Sequence, residues 1–241
     1  MATVAAGQVL ASPPTTYRET IAGTLVTFEM ALVPGGDAVE PFYLGRTEVT
    51  WDLYDVFALG LDEKRPAGGA DAVARPSRPY GAPDYGWGHA GYPAISIARE
   101  AAGAFTVWLS KKTGKAYRLP TEAEWEHAAK LAAAGGGPER LEAVAWHRGN
   151  AVSRTRAVAT ARPDALGLFD LFGNAAEWVE AADGARVTRG GSFRDPLASL
   201  GPAMREEQDD SWNERDPQLP KSTWWLSDGP FVGFRLARSM R

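Results

Sequence analysis

The sequence predicts an α+β domain on three observations. Two segments repeat apolar residues at helical spacing behind clear start signals. Several short β-branched runs stop at turn residues. The 26 glycines and 17 prolines among 241 residues punctuate the chain far more often than a helical bundle tolerates. Hydrophobic residues make up 44 % of the chain and nine residues are tryptophan, enough for a sizeable core and unlike a disordered composition. Two or three helices, small antiparallel sheets and much irregular chain are expected. No repeat, low-complexity tract or linker divides them, so one domain is expected.

The elements follow in order. Thr24–Val33, TLVTFEMALV, reads as a strand ended by Pro34, Gly35 and Gly36. Pro41–Thr50 repeats the pattern. Thr50 then reads as an N-cap, and Trp51, Tyr54, Val56 and Phe57 predict a short helix to Leu59. Gly60–Tyr92 reads as a long ordered surface loop whose aromatics pack down. Ser96 is the expected cap of a second helix, with Ala101, Ala104, Phe105, Trp108 and Leu109 on its buried face and Gly114 at its end. A third helix starts at Thr121, which forms a capping box with Glu124. Trp125, Ala128, Ala129 and Ala132 are its buried stripe, and Gly135–Pro138 stops it. Beyond Leu141 no long helical pattern survives, and RVTRGGSF and FVGFRLAR read as strands.

The formal net charge is −4 with no basic tail, which argues against a nucleic-acid partner. The apolar runs fall far short of the ~20 residues that span a bilayer, so no transmembrane segment is expected. The N-terminus as given has no basic region leading into a long apolar core; an exported or periplasmic origin stays open. With no cysteine, disulfides, thiolate metal sites and cysteine nucleophiles are excluded. No Ser-His-Asp order, phosphate loop or zinc motif stands out.

Six motifs occur in sequence: VPGG, RTEVTWDLYDVF, YRLPTEAEWEHAAK, GLFDLFGNAAEWV, RVTRGGSF and GFRLAR. Together they resemble the sulfatase-modifying-factor family, the formylglycine-generating-enzyme type of the C-type lectin fold. The resemblance runs from Thr24 to about Arg238, leaving residues 1–23 as an N-terminal extension and 24–241 as the domain. It implies the fold far more than the activity, because one fold hosts many functions. Relatives that generate formylglycine hold copper with two cysteines after the GGS motif. Those positions fall near Leu197 and Pro202, which offer no thiolate to Cu(I), and Thr106 stands where many relatives carry a structural cysteine. Copper is therefore not expected, nor cysteine-to-formylglycine oxidation. Iron-dependent relatives use a histidine triad supplied mostly by an added helical domain, for which this sequence has no counterpart. His89, His127 and His147 match no metal spacing and read as structural or surface residues; a triad assembled in space leaves iron open.

In the family, the segment matching Leu168–Trp178, LFDLFGNAAEW, wraps a structural Ca2+ ion. The resemblance assigns carboxylates to Asp170 and Glu177 and carbonyls to Gly173 and Ala175, a hard-oxygen set that suits Ca2+. The bland alternative is a turn with two solvated acids. A second Ca2+ site would begin at Asn150. In this fold the chain after GGS lines an upper groove, which makes Trp224, Trp225, Asp228 and Arg194 the ligand-groove candidates; the bland alternative is core tryptophans and a solvated acidic face. The acids of Arg205–Asp216 could meet a cation or a basic peptide. Arg205 and Arg235 match family arginines and are expected to be buried ion-pair partners. The expected function is a monomeric, calcium-stabilised, lectin-like scaffold with a groove for a peptide, protein or small-molecule ligand. The alternative is a metal-dependent oxidoreductase, pyoverdine-tailoring-like or of the non-haem iron type, with an active site the motifs do not reveal.

Overall fold

The computed structural model describes residues 15–36, 38–62, 75–77, 79, 81–134 and 138–240. Among them the elements run β1 (Thr16–Thr20), β2 (Thr27–Val33), β3 (Phe42–Gly45), α1 (Trp51–Ala58), α2 (Arg99–Thr113), β4 (Tyr117–Arg118), α3 (Glu122–Ala133), α4 (Pro138–Val144), β5 (Ala176–Glu180), β6 (Arg186–Arg189), β7 (Arg205–Glu207), β8 (Val232–Gly233) and β9 (Ala237–Ser239). Two short 3-10 turns, Leu197–Ser199 and Asp210–Asn213, flank β7. This is an α+β architecture, as the sequence predicts.

The strands form two sheets, ordered β1-β2-β3-β9-β4 and β7-β6-β5-β8. All pairs are antiparallel except β5 with β8, which run parallel. The first sheet begins inside the stretch set apart as an extension, because Thr16–Thr20 pairs residue for residue with Ala31–Thr27. The strand expected from Thr24 starts at Thr27. Thr24 instead closes a turn, its hydroxyl donating to Ile21 O (2.9 Å) and accepting from Val26 N (3.1 Å).

FVGFRLAR is not one strand. Val232–Gly233 joins the second sheet and Ala237–Ser239 the first, so Phe234–Leu236 crosses between them with Arg235 fully buried. The helices pack their predicted faces into two apolar clusters. Tyr54, Phe57, Phe105 and Phe234 meet ring to ring in one, with centroids 5.4–6.2 Å apart. Trp125, Ala128, Ala129 and Ala132 of α3 meet Phe172, Val179 and Val187 in the other. Gly114 ends α2 in the left-handed region at φ 68°, a conformation glycine reaches without a Cβ penalty.

Two expected caps differ. Thr50 is the N-cap of α1 by backbone but makes no side-chain cap bond. Ser96 caps nothing; α2 opens at Ala98, without a side-chain cap. The main chain at 96–98 instead pairs with 224–226: Leu226 N donates to Ser96 O (2.8 Å) and Ala98 N to Trp224 O (3.1 Å). That pairing fixes the backbone and leaves no room for a capping geometry. Gly135–Pro138 was expected as a stop. Pro138 instead opens α4, where its missing N–H costs nothing; residues 135–137 lie outside the described residues.

The capping box at Thr121 is complete. Glu124 N donates to the Thr121 hydroxyl (3.1 Å), and Thr121 N donates to the Glu124 carboxylate (2.9 Å). Thr121→Ala should cost about 1 kcal/mol in denaturant unfolding. Trp125, with no solvent exposure, should cost about 3–5 kcal/mol as Trp125→Ala. An equal, small effect of both changes would contradict this account of the α3 face.

Candidate functional site

The chain after Leu168 is shaped by three consecutive constraints. Asp170, Gly173 and Asn174 all adopt positive φ, at 55°, 82° and 54°. Gly173 is obligatory, since an added Cβ would sit 2.1 Å from Trp146 O. Asn174 is buried and pairs both ends of its amide with the main chain of Arg156, accepting from N (2.8 Å) and donating to O (3.3 Å). The segment then enters β5, which places Glu177 inside the protein.

Glu177 is not a solvated acid. Arg235 Nε reaches both its carboxylate oxygens (2.9 and 2.8 Å), Nη2 adds a third contact (2.7 Å), and Trp125 Nε1 donates to Oε2 (2.8 Å). Arg235 spends its other donors on Gly45 O (2.8 Å) and Phe169 O (2.9 Å). Burial opposes the guanidinium charge, but Glu177 outweighs it and holds Arg235 above the ordinary arginine range. The expected ion pair of Arg235 is therefore present and buried. Arg205 departs from expectation: it is exposed, bonded to Glu122 (3.0 Å). Its strand is an edge of the second sheet, and Arg189 one strand inward is the buried arginine, set between Glu122 and Glu126.

Beside this ion pair lie two further buried carboxylates, Glu48 and Asp170, each 1 % exposed. Asp170 Oδ2 accepts from Ala159 N (2.8 Å) while Oδ1 has no partner among the described residues; Glu48 Oε2 likewise has none. Burial, then the charge of Asp170, pushes Glu48 well above the usual carboxylate range. Burial pushes Asp170 up to about 6. Glu48 was not singled out in the sequence, although an acid among the β-branched and aromatic residues of TEVTW was the available signal. Three carboxylates against one guanidinium, with two open oxygens, match a cation in charge and chemistry. The open oxygens belong to Asp170 and Glu48, whereas Glu177 is spent. Among the described residues no group of three or more His or acidic side chains is arranged to hold a metal, so a cation here would lean on main-chain carbonyls.

At Asn150, the other expected calcium position, the side chain is engaged in its own turn. Its oxygen accepts from His147 N (2.8 Å) and its amide donates to Ala145 O (3.0 Å). The three histidines do not converge. His127 bonds to Pro34 O (2.8 Å), His147 contacts Glu142 (2.9 Å), and His89 bridges Asp55 (2.7 Å) and Asp84 (3.0 Å). Leu197 and Pro202 line an apolar cleft of about 530 Å3 with Leu141, Val144 and Phe172.

The groove candidates separate. A cleft of about 360 Å3 opens between residues 77–85 and 213–227, and Trp225 lines it. The Trp225 indole donates to Ser77 O (2.7 Å) and stacks on Trp51 at 6.4 Å. Asp228 acts at one remove, binding the N–H and guanidinium of Arg215, which does line the cleft. Trp224 packs on Phe57 instead. Arg194 lies over Phe231 and grips Glu206. The acids of Arg205–Asp216 are partly consumed: Glu206 by Arg194, Glu207 by Arg205, and Asp216 by Gln218 N and Ser222 N.

A model of the sulfatase-modifying factor enzyme 1-like domain matches residues 3–240. The chain belongs to this family. Curated relatives include the serine/threonine-protein kinases pkn1 of Chlamydia pneumoniae, 31 % identical over 102 residues, and Pkn1 of Chlamydia trachomatis serovar L2, 31 % identical over 94 residues. Each match takes in 39 % of this chain and only 14 % of the kinase's length. Among solved structures, Treponema denticola variable protein 1 superposes with a TM-score of 0.67 at 21 % identity, over 94 % of this chain and 100 % of that one. PvdO from Pseudomonas aeruginosa gives 0.63 at 25 % identity, over 88 % and 94 %. CarF gives 0.54 at 21 %, over 84 % and 88 %. At 21 % the likeness shows the fold alone.

In this sulfatase-modifying-factor domain two interactions make direct predictions. Glu177→Gln leaves the buried Arg235 charge uncompensated and should cost about 3–5 kcal/mol in denaturant unfolding; a loss under 1 kcal/mol would show that the pair is dispensable. His89 contributes one part of the pH dependence. Burial pulls its pKa down, but the bonds and charges of Asp55 and Asp84 together push it above its ordinary value. Its contribution is therefore full below the unfolded value of about 6.5 and fades as pH rises through the higher folded value. Thermal melts from pH 5.5 to 9 should show this loss in the native chain and a flatter profile in His89→Gln; superimposable profiles would remove His89 from the account.

Proposed function

We propose that this domain is a ligand-binding scaffold of lectin-like form, stabilised by calcium, and not a cysteine-to-formylglycine oxidase. The observation that carries the reading is the cleft between residues 77–85 and 213–227, walled by Trp225, on a chain that contains no cysteine. Its size falls within the range of small-molecule sites, and its walls are loops, where binding function usually resides. Cu(I) chemistry of the thiolate kind has no ligands here.

Calcium would be held by Asp170 and Glu48 with the carbonyls of Gly173 and Ala175, and would supply the positive charge that the three carboxylates and one arginine lack. A surface cleft of about 280 Å3, bordered by Arg46, Glu48, Ala159 and Phe169, gives access to this region. Glu177 stays with Arg235.

Metal analysis of tag-free protein separates this reading from a metal-dependent oxidoreductase. Calcium alone supports the scaffold; stoichiometric copper or iron overturns it. Chelation should lower the melting temperature, and Ca2+ should restore it better than Mg2+, whose octahedral demand suits a carbonyl-rich loop poorly. Binding confined to the folded state adds about 2.7 kcal/mol at a hundredfold excess over Kd. Asp170→Asn and Glu48→Gln should each abolish the Ca2+ response. A melting temperature indifferent to chelation and to added Ca2+ would remove calcium from the proposal.

A further inference from the structure

The cleft walled by Trp225 has a charge asymmetry that specifies its ligand, granted that it is the ligand groove. Two ionisable side chains border it among the described residues besides the phenol of Tyr85: Asp216 and Arg215. Asp216 is spent. It is 6 % exposed, its Oδ1 accepts from Gln218 N (2.9 Å), and its Oδ2 accepts from Ser222 N (2.7 Å) and Asn213 Nδ2 (3.4 Å). A cationic ligand would find no open carboxylate there.

Arg215 is the opposite case. Its side chain is 73 % exposed, and Asp228 fixes it from behind, accepting from both the Arg215 N–H and Nε. No described residue bonds its two terminal nitrogens. A guanidinium held by Nε presents those nitrogens as a planar pair, the geometry that meets a carboxylate in two parallel hydrogen bonds. The rest of the wall is apolar or neutral, with Pro79, Pro83, Trp225 and Leu226. At the floor, Ser96 is 3 % exposed and sits at φ 60°, with its hydroxyl beside the phenol of Tyr85. A strained non-glycine residue is the kind of feature that collects at binding sites.

We infer that the cleft binds a small organic carboxylate, its acid on the terminal nitrogens of Arg215 and its apolar body against Trp225, Leu226 and the prolines. A free acid and the C-terminus of a peptide share this chemistry. The probes are N-acetyl-L-phenylalanine, its primary amide, and a tetrapeptide ending in phenylalanine with a free carboxylate. Binding is read by calorimetry and by tryptophan fluorescence on the full chain.

The acid should bind about five- to tenfold more tightly than the amide, a modest ratio because the guanidinium is largely exposed. Arg215→Gln should erase that ratio while leaving the melting temperature unchanged, since the residue lies at the surface. The tetrapeptide binding more tightly than the single residue assigns the cleft to a peptide terminus; the reverse order assigns it to a free acid. Equal binding of acid and amide would overturn the carboxylate assignment and leave the groove reading standing. No binding of any probe at millimolar concentration would overturn both, and an acid preference that survives Arg215→Gln would place the ligand elsewhere.

Discussion

The fold turns on one buried ion pair. Arg235 lies in the crossing between β8 and β9, so its backbone links the two sheets. Its side chain binds Glu177 on β5, Gly45 O at the end of β3 and Phe169 O in the loop before β5, while Trp125 of α3 holds the same carboxylate. Two sheets, a helix and a loop thus meet at one guanidinium. Burying two charges costs several kcal/mol each, and the pair is tolerated because every nitrogen of the Arg235 guanidinium finds an oxygen. An apolar pair of equal volume would escape the desolvation cost but leave the carbonyls of Gly45 and Phe169 unbonded, which low-dielectric surroundings penalise. The charges therefore fix which elements meet, more than how tightly they hold.

This commitment changes what LFDLFGNAAEW can do. One arginine compensates one acid, so Glu48 and Asp170 remain as buried carboxylates without a counter-charge of their own. Either they take up protons, as burial favours, or a cation supplies the missing charge. The positive φ angles of Asp170 and Asn174 are costly for a simple turn. Much of that cost is offset by Asn174, which serves as main-chain partner to Arg156, and by the close passage of Gly173 past Trp146.

The helices were legible because they obey local rules: a 3.6-residue stripe, a complete capping box at Thr121, a left-handed glycine at 114. Elements set by distant partners were not. Ser96 has the chemistry of a cap, yet a main-chain pairing 130 residues away decides its conformation. FVGFRLAR has the composition of one strand, but the ion pair of Arg235 requires it to leave one sheet for the other. Pro138 follows three glycines and reads as a stop, although proline equally begins a helix. At the site, Trp225 was legible only as half of a Trp224–Trp225 pair, and it alone of the two lines the cleft. Trp224 was not separable from it, because alternation along an extended segment sends neighbours to opposite faces. Arg215 went unnoticed inside an acidic stretch, where net charge hides a single oriented cation. Glu48 was passed over although its β-branched and aromatic neighbours marked the segment for burial.

The glycine- and proline-rich loops that blur the sequence are nonetheless rigid where the cleft needs them. Asp216 gathers the N–H groups of Gln218 and Ser222, and Asn213 accepts from Ser227 N (2.9 Å). The opposite wall is pinned to this one by Tyr85, whose hydroxyl donates to Ser227 O (2.8 Å), and by the Trp225 indole on Ser77 O. Side-chain to main-chain bonds thus do for these loops what ladders do for strands. A ligand entering between them meets groups already in place, so little ordering entropy offsets its contacts. Arg215 is the extreme case. It is exposed enough to reach a ligand, and Asp228 keeps it from the many rotamers an exposed arginine otherwise samples. The same device that makes it an ordinary surface ion pair makes it a prepared hydrogen-bond donor to an anion, because Asp228 occupies the inner edge of the guanidinium and leaves the outer edge open.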